Sequence, residues 1–409
     1  MDGAASNAGP ASIGSELTVL WDHYVFRRGS GVNALWDDLF HKRSVKILYI
    51  AGRGFDVRAQ AVMQEFVASQ KGPGQVVERA KLVLVGFSGY ELDESIRQLT
   101  EENTARLEAL FSPLGAAMTV TISSSTESGD DVSASTALRT GIEAVLAEVT
   151  DQTDIILDVS SLPRVAYLAL LTSLLHKLVP NKQATEPNAP NPLHAKGVNL
   201  QVLVAEDAKL DGQIRAEDPS NDLVLIPGFS GALQAESVQD WPLVWFPILG
   251  ENRSGQLEKV IASAPIPDSA EICPVLPHPS KDPRRADNLL VEYRAPLFDA
   301  RKTPTSNIIY AHESHPFEAY RQLLGAMQRY KNSMQIMGGC RLVVTPLGSK
   351  LITLGAGLAC FEMRPKDLTE KYAVAIPHAE PKRYIASVDS LRNSKPEISA
   401  LLLTGEAYA

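Results

Sequence analysis

Cysteine is scarce in this chain. The three present, Cys273, Cys340 and Cys360, are odd in number, far apart and without a C-x-x-C pair. That pattern excludes a disulfide framework and a thiolate zinc site, and it fits a reducing, cytoplasmic setting. Long apolar runs are missing too. The longest, VAYLALLTSLL at 165–175, is too short to cross a bilayer and directly follows a strand-like run, so it reads as a buried helix. The opening MDGAASNAGPASIGS lacks the apolar core of a secretory leader; a flexible tail is expected there, and no membrane partner. Basic residues are outnumbered, 39 Lys and Arg against 48 Asp and Glu, for a formal net charge of −9. General binding of nucleic-acid backbone is therefore not expected. With 409 residues the chain exceeds what a single core commonly organises, and two domains are predicted.

From residue 45 onward, apolar runs of strand length alternate with helical patterns. VKILYIAG (45–52), KLVLVGF (81–87), AMTVTIS (117–123), DIILDVS (154–160) and VNLQVLVAE (198–206) each read as a strand. Unbroken apolar strands alternating with helices mark a parallel sheet covered on both faces. The rhythm resumes with NDLVLIPG (221–228), PLVWFPILG (242–250), EICPVLP (271–277), NIIYAHE (307–313), RLVVTP (341–346) and YAVAIPH (372–378). The predicted fold class is α/β, with two tandem Rossmann-like, doubly wound parallel-sheet units and short N-terminal helices. The expected divisions are a tail and two amphipathic helices at 1–43, α/β domains at 44–215 and 216–395, and a C-terminal tail at 396–409. The Pro- and Asn-rich connector 180–197 is expected to be an exposed loop.

Two apolar runs break into Gly-Phe-Ser-Gly, at 86–89 and 228–231. A hydrolase nucleophile elbow needs G-x-S-x-G, and here Tyr90 and Ala232 stand where the last glycine belongs, so these segments read as strand ends with glycine relieving the turn. Other departures are equally informative. Gly52-Arg53-Gly54 starts like a dinucleotide fingerprint but lacks the third glycine. Pro346-Leu347-Gly348-Ser349-Lys350 is half a P-loop with Ser before Lys. His312-Glu313-x-His315 is not H-E-x-x-H, and no third ligand is signalled, so no metal is expected and the cofactor stays unassigned. Asp367 with Glu380-Pro381-Lys382 falls short of a nuclease D…E-x-K set because Pro381 is expected to break the strand it needs.

The turns that end these strands nevertheless share a chemistry. They place Arg53, Arg58, Arg164, Arg253 and Lys350 beside glycines and serines at helix starts, and free N–H groups with a nearby cation favour an anion, above all phosphate. In a doubly wound sheet that edge is where ligands bind. Asp158, ending a buried strand, needs a partner, either Arg164 or backbone N–H groups, while Ser160 or Ser161 can cap the helix that follows. The expected ligand-binding set is Gly52, Arg53, Gly54, Arg58, Ser160, Ser161, Arg164, Arg253 and Lys350. A rival enzymatic reading, a hydrolase or transferase acting on a nucleotide or nucleoside, puts His312 and Glu313 in the reactive pocket with Lys350. A purely structural subunit of a larger complex is a third reading.

The stretch IILDVSSLPR at 155–164, closing the fourth strand of a Rossmann-type half, resembles the CRISPR-associated Rossmann-fold (CARF) sensor domains of bacterial antiviral defence. The resemblance covers about residues 45–206. It implies a sensor or adaptor that binds a nucleotide-type signal, often cyclic or oligomeric, at the strand ends of a homodimer or against a protein partner, with Ser160, Ser161 and Arg164 lining the site and Gly52 to Arg58 alongside. The second α/β half stands where such proteins often carry an effector domain.

Overall fold

The computed structural model describes residues 19–72, 74–123, 134–180, 191–211, 213–367 and 369–409. The tail expected at 1–15 lies outside the described residues, as do residues 181–190 of the expected loop. The first unit runs β1 (Val25–Arg28), α1 (Ser30–Phe40), β2 (Ser44–Arg53), α2 (Arg58–Ser69), β3 (Val76–Ser88), α3 (Glu94–Phe111), β4 (Ala116–Ser123), α4 (Ala134–Leu146), β5 (Asp154–Asp158), α5 (Arg164–Leu178) and β6 (Asn199–Glu206). A connecting stretch follows, α6 (Ala208–Asp211), β7 (Arg215–Leu225) and α7 (Gly231–Gln234). The second unit comprises β8 (Leu243–Ile248), α8 (Ser254–Ser263), β9 (Glu271–Ile272), β10 (Val275–Pro277), α9 (Arg285–Glu292), β11 (Ile309–Ala311), α10 (Pro316–Ser333), β12 (Cys340–Pro346), α11 (Lys350–Glu362) and β13 (Tyr372–Ala375). β14 (Pro377–Ile385), α12 (Val388–Arg392) and β15 (Glu397–Thr404) end the chain.

The first sheet has the order β1-β15-β6-β5-β2-β3-β4, and the five strands from β6 to β4 are parallel. The second has the order β11-β10-β8-β12-β13, all parallel, with β9 beside β8. Each unit therefore starts at its centre, lays its second and third strands to one side and its fourth and fifth to the other. That is the doubly wound order, and it creates a crevice where the winding reverses, between β2 and β5 and between β8 and β12.

The two units share one core. α5 and α11, each following the fourth strand of its unit, pack on one another: a Cβ added at Gly357 would meet Leu168 and Leu171 side chains at 2.9 and 3.4 Å. Both helices are apolar around nearly their whole circumference, because each is covered by a sheet on one side and by the other helix on another. Alternation in β8 follows the same logic. Val244, Phe246 and Ile248 face this shared core, whereas Leu243 and Trp245 face a second core with Leu257 of α8 and Leu289 of α9.

Several expectations change. The described part of the N-terminal segment, from residue 19, holds one helix, and Val25–Arg28 is an edge strand where part of the first expected helix would lie. The expected C-terminal tail is β15, which pairs antiparallel with both β6 and β1; EISALLLT is buried along all but its first residue, and this apolar run is what inserts it into the first sheet. The run at 221–228 does not join the second sheet. β7 pairs instead with β14 in a separate two-stranded antiparallel arm, and Pro381 is tolerated there because it sits at a register irregularity. The GFSG segments are a strand end and a turn, with Gly89 and Gly228 at φ of 102° and 84°.

Candidate functional site

The strand-end crevices of the two units face each other and enclose a cavity of about 630 Å³, a size usual for a small-molecule site. The turn after β2 contributes Asp56 and Arg58, and the turn after β5 contributes Ser160, Ser161 and Arg164. From the opposite unit come Arg253, after β8, and Gly348, Ser349 and Lys350, after β12. The β7–β14 arm adds His378 and Tyr384.

Arg164 and Lys350 occupy the same position in the two units, the first residue of the helix after the fourth strand. Each reaches across the seam. Arg164 Nη2 donates to the carbonyls of Gly348 at 2.7 Å and Leu347 at 3.3 Å, and Lys350 Nζ donates to the Ser160 carbonyl. Two cations thus cross-link the turns while remaining on the cavity wall. Arg164 Nε is buried without a partner. Arg253 lies beside Arg164, and its guanidinium makes no hydrogen bond or ion pair with any described residue. Burial foremost, and then Arg164, push its pKa down from the ordinary arginine value. Burial likewise lowers the Lys350 pKa, opposed by Asp56 at 4.0 Å. Arg164 and Arg253 thus stand near one another on the wall with no ion pair to a described residue, whereas Lys350 has Asp56.

Arg58 is different. Its guanidinium grips Asp56, Nη2 to Oδ2 at 2.6 Å and Nε to Oδ1 at 2.9 Å, and reaches Asp211 at 2.7 Å. Burial pushes the Asp56 carboxyl up, but Arg58 outweighs it and the net shift is downward. Arg58 lines the cavity as a neutralised group. Asp158 finds its partners in the Ser160 N–H at 2.9 Å and the Tyr49 hydroxyl at 3.0 Å, not in Arg164. Burial raises it to about 6, partly offset by those hydrogen bonds. Neither serine caps α5. Ser160 Oγ accepts from Ala205 N at 2.9 Å and Ser161 Oγ donates to the Gly52 carbonyl at 2.8 Å, so both hold neighbouring strand ends in place.

Arg53 leaves the set: its partner is Glu101 at 2.6 Å and it is not on the cavity wall. Gly52 and Gly54 do not line the cavity either. They let the β2 and β5 turns touch, since a Cβ at Gly52 would meet the Ser161 backbone at 2.7 Å and one at Gly54 at 2.9 Å. Glu313 lines the cavity but is engaged by Arg285, Ser280 and the Lys281 N–H, and His312 lies off the wall, its Nδ1 accepting from Ser314 N.

Several wall residues were not singled out from sequence. His378 is 2% exposed; its Nε2 lies 3.1 Å from Glu380, whose other oxygen accepts from the Tyr90 hydroxyl. That approach is not a hydrogen bond, and both His378 Nδ1 and Glu380 Oε2 are buried without a hydrogen-bond partner. Gln256 Oε1 and the Tyr167 hydroxyl are orphaned in the same way. Of the ten buried side-chain atoms left unpaired among the described residues, five (on Arg28, Arg164, Tyr167, Gln256 and His378) belong to the cavity wall. Such groups are rare in a settled interior, and half of those described lie here. Glu206, at the end of β6 and within reach of Arg28 and Lys350, is raised to about 7, by burial first and then by Asp211. Glu380 and His378 had a weak sequence signal in their place at a strand end; Gln256 had none beyond its place in a first helical turn.

Comparison with models of protein families gave no match, and neither did comparison with curated protein sequences. No helix among the described residues is long and apolar enough to cross a membrane, and no group of three or more His, Cys, Asp or Glu side chains there could hold a metal ion.

Proposed function

We propose that the protein binds a nucleotide or closely related phosphorylated ligand between its two Rossmann-like units and acts as a sensor or adaptor, in keeping with the CARF resemblance and a role in bacterial defence. The observation that carries this reading is Arg253. Its guanidinium lies near Arg164 and makes no hydrogen bond or ion pair with a described residue, although Tyr384, Tyr293 and Glu380 oppose the repulsion, at a doubly wound switch point of the kind where phosphates are held. The resemblance implies a site shared by two sensor domains, and here the second unit of the same chain supplies the second half.

Titration calorimetry with inorganic pyrophosphate and a nucleotide panel tests it. Binding in the millimolar range or tighter is expected, weakened at least about tenfold by Arg253→Ala or Lys350→Ala, as the loss of a charge-assisted hydrogen bond implies. No binding of any phosphorylated probe overturns the proposal. A second reading, a hydrolase or transferase on the same ligand class, is favoured by one observation, the contact of the wall residue His378 with Glu380, which is itself off the wall. Product formed from a bound nucleotide and abolished by His378→Ala supports the enzyme, and binding without turnover supports the sensor.

A further inference from the structure

We infer that the ligand is a zwitterion, and that the carboxylate of Glu206 receives a protonated amine carried on the same molecule as the phosphate. The inference rests on the phosphate-binding reading above. The other carboxylates on the cavity wall are all answered. Arg58 pairs with Asp56 and Asp211, Arg285 with Glu251 and Glu313, and Arg28 with Glu397. Asp207 accepts from the Ser394 hydroxyl and the Lys395 N–H. Glu206, at the end of β6, lines the cavity, and its carboxyl makes no hydrogen bond or ion pair with a described residue. The residue is half-buried and its oxygens are not among the buried unpaired atoms, so they open on the cavity.

What this carboxyl lacks is positive charge. Asp211 and Glu313 repel it, Arg28 and Lys350 attract it, and burial with the two acids prevails, which holds its pKa high. Both cations are committed elsewhere, Arg28 to Glu397 at 2.6 Å and Lys350 to the Ser160 carbonyl and Asp56. A neutral donor would leave the deficit in place, whereas an ammonium fills it. The Tyr167 hydroxyl is influenced by both Arg164 and Glu206, so the cationic and acidic parts of the wall flank a common neighbour. A metal ion chelated by phosphates is the other source of positive charge. Among the described residues no group of three or more ligating side chains could hold one, which favours the amine.

The test uses the full chain, wild type and Glu206→Gln, titrated with inorganic pyrophosphate, with the series from aminoethyl to aminohexyl phosphate, and with the alkyl phosphate of each length. At pH 8 the best aminoalkyl phosphate should bind wild type at least about tenfold more tightly than its alkyl counterpart, the scale of one charge-assisted hydrogen bond. Glu206→Gln should bring that pair within about twofold. Cooperative thermal unfolding shows that the variant is folded, and pyrophosphate, which brings no cation, should lose no affinity for it. The advantage of the amine in wild type should shrink from pH 8 to pH 6, as Glu206 takes up its proton while the ammonium keeps its charge. No advantage anywhere in the series, an advantage that survives in Glu206→Gln, or magnesium that strengthens pyrophosphate binding by wild type but not by Glu206→Gln overturns the inference and leaves the anion site standing. Failure of pyrophosphate and of every phosphate ester overturns the anion site as well.

Discussion

Arg58 and Arg253 have the same charge and both stand at the start of a helix after a strand, yet they do opposite things. Arg58 is answered by Asp56 two residues earlier and by Asp211; Arg253 makes no ion pair with a described residue and has only weaker help from Tyr384, Tyr293 and Glu380. Arg58→Met should leave the buried Asp56 with only Lys350 at 4.0 Å and the backbone N–H of residue 58 and cost about 3 kcal/mol in urea unfolding. Arg253→Met should leave stability unchanged or slightly raised, because it relieves Arg164, while abolishing stabilisation by pyrophosphate in thermal melts. Sequence could not separate them, since whether Asp56 turns back onto Arg58 depends on the fold of the turn, and the second carboxylate, Asp211, lies 153 residues away. Glu206 gives a pH prediction. It faces Asp211, Arg28, Glu313 and Lys350, and burial raises it to about 7. Neutral below that value, it gains a negative charge above it, so affinity for an anion should fall as pH rises through about 7. Calorimetry from pH 6 to 8 should show this for wild type and a flatter profile for Glu206→Gln.

The elements that carry the site were legible where burial wrote an unbroken apolar run. The five strands of the first sheet stood out because helices cover both faces, and α5 was recognisable as buried because its pattern lacks a polar side. The turns were legible as a chemistry but not as a geometry. Gly52 looked like a phosphate-binding glycine, and its function is instead to admit the Ser161 backbone at a distance no side chain tolerates. Gly52→Ala should therefore destabilise the protein by about 1–3 kcal/mol through overpacking, measured by chemical denaturation. It should weaken ligand binding only indirectly, by shifting the turn that carries Ser160 and Arg164. The β7–β14 arm was misassigned because one of its strands reads locally like a member of a parallel sheet, and only long-range pairing reveals its antiparallel partner.

At the scale of the whole molecule, two units with the same strand order are closed on each other by a shared core, and the first is completed by the far end of the chain. β15 covers the edge of β6 and carries β1 on its other side. Removal of residues 396–409 should strip both outer strands, expose the β6 edge and abolish cooperative unfolding in calorimetry. The apolar run that forms β15 was visible in sequence, but nothing local tells a terminal run that its partner lies some 200 residues earlier. The reciprocal reach of Arg164 and Lys350 has a mechanical corollary. The same guanidinium that would greet an incoming anion also clasps the carbonyls of Leu347 and Gly348. An anion that drew Arg164 toward itself would loosen that clasp across the seam, so occupancy and contact between the halves would compete for one side chain.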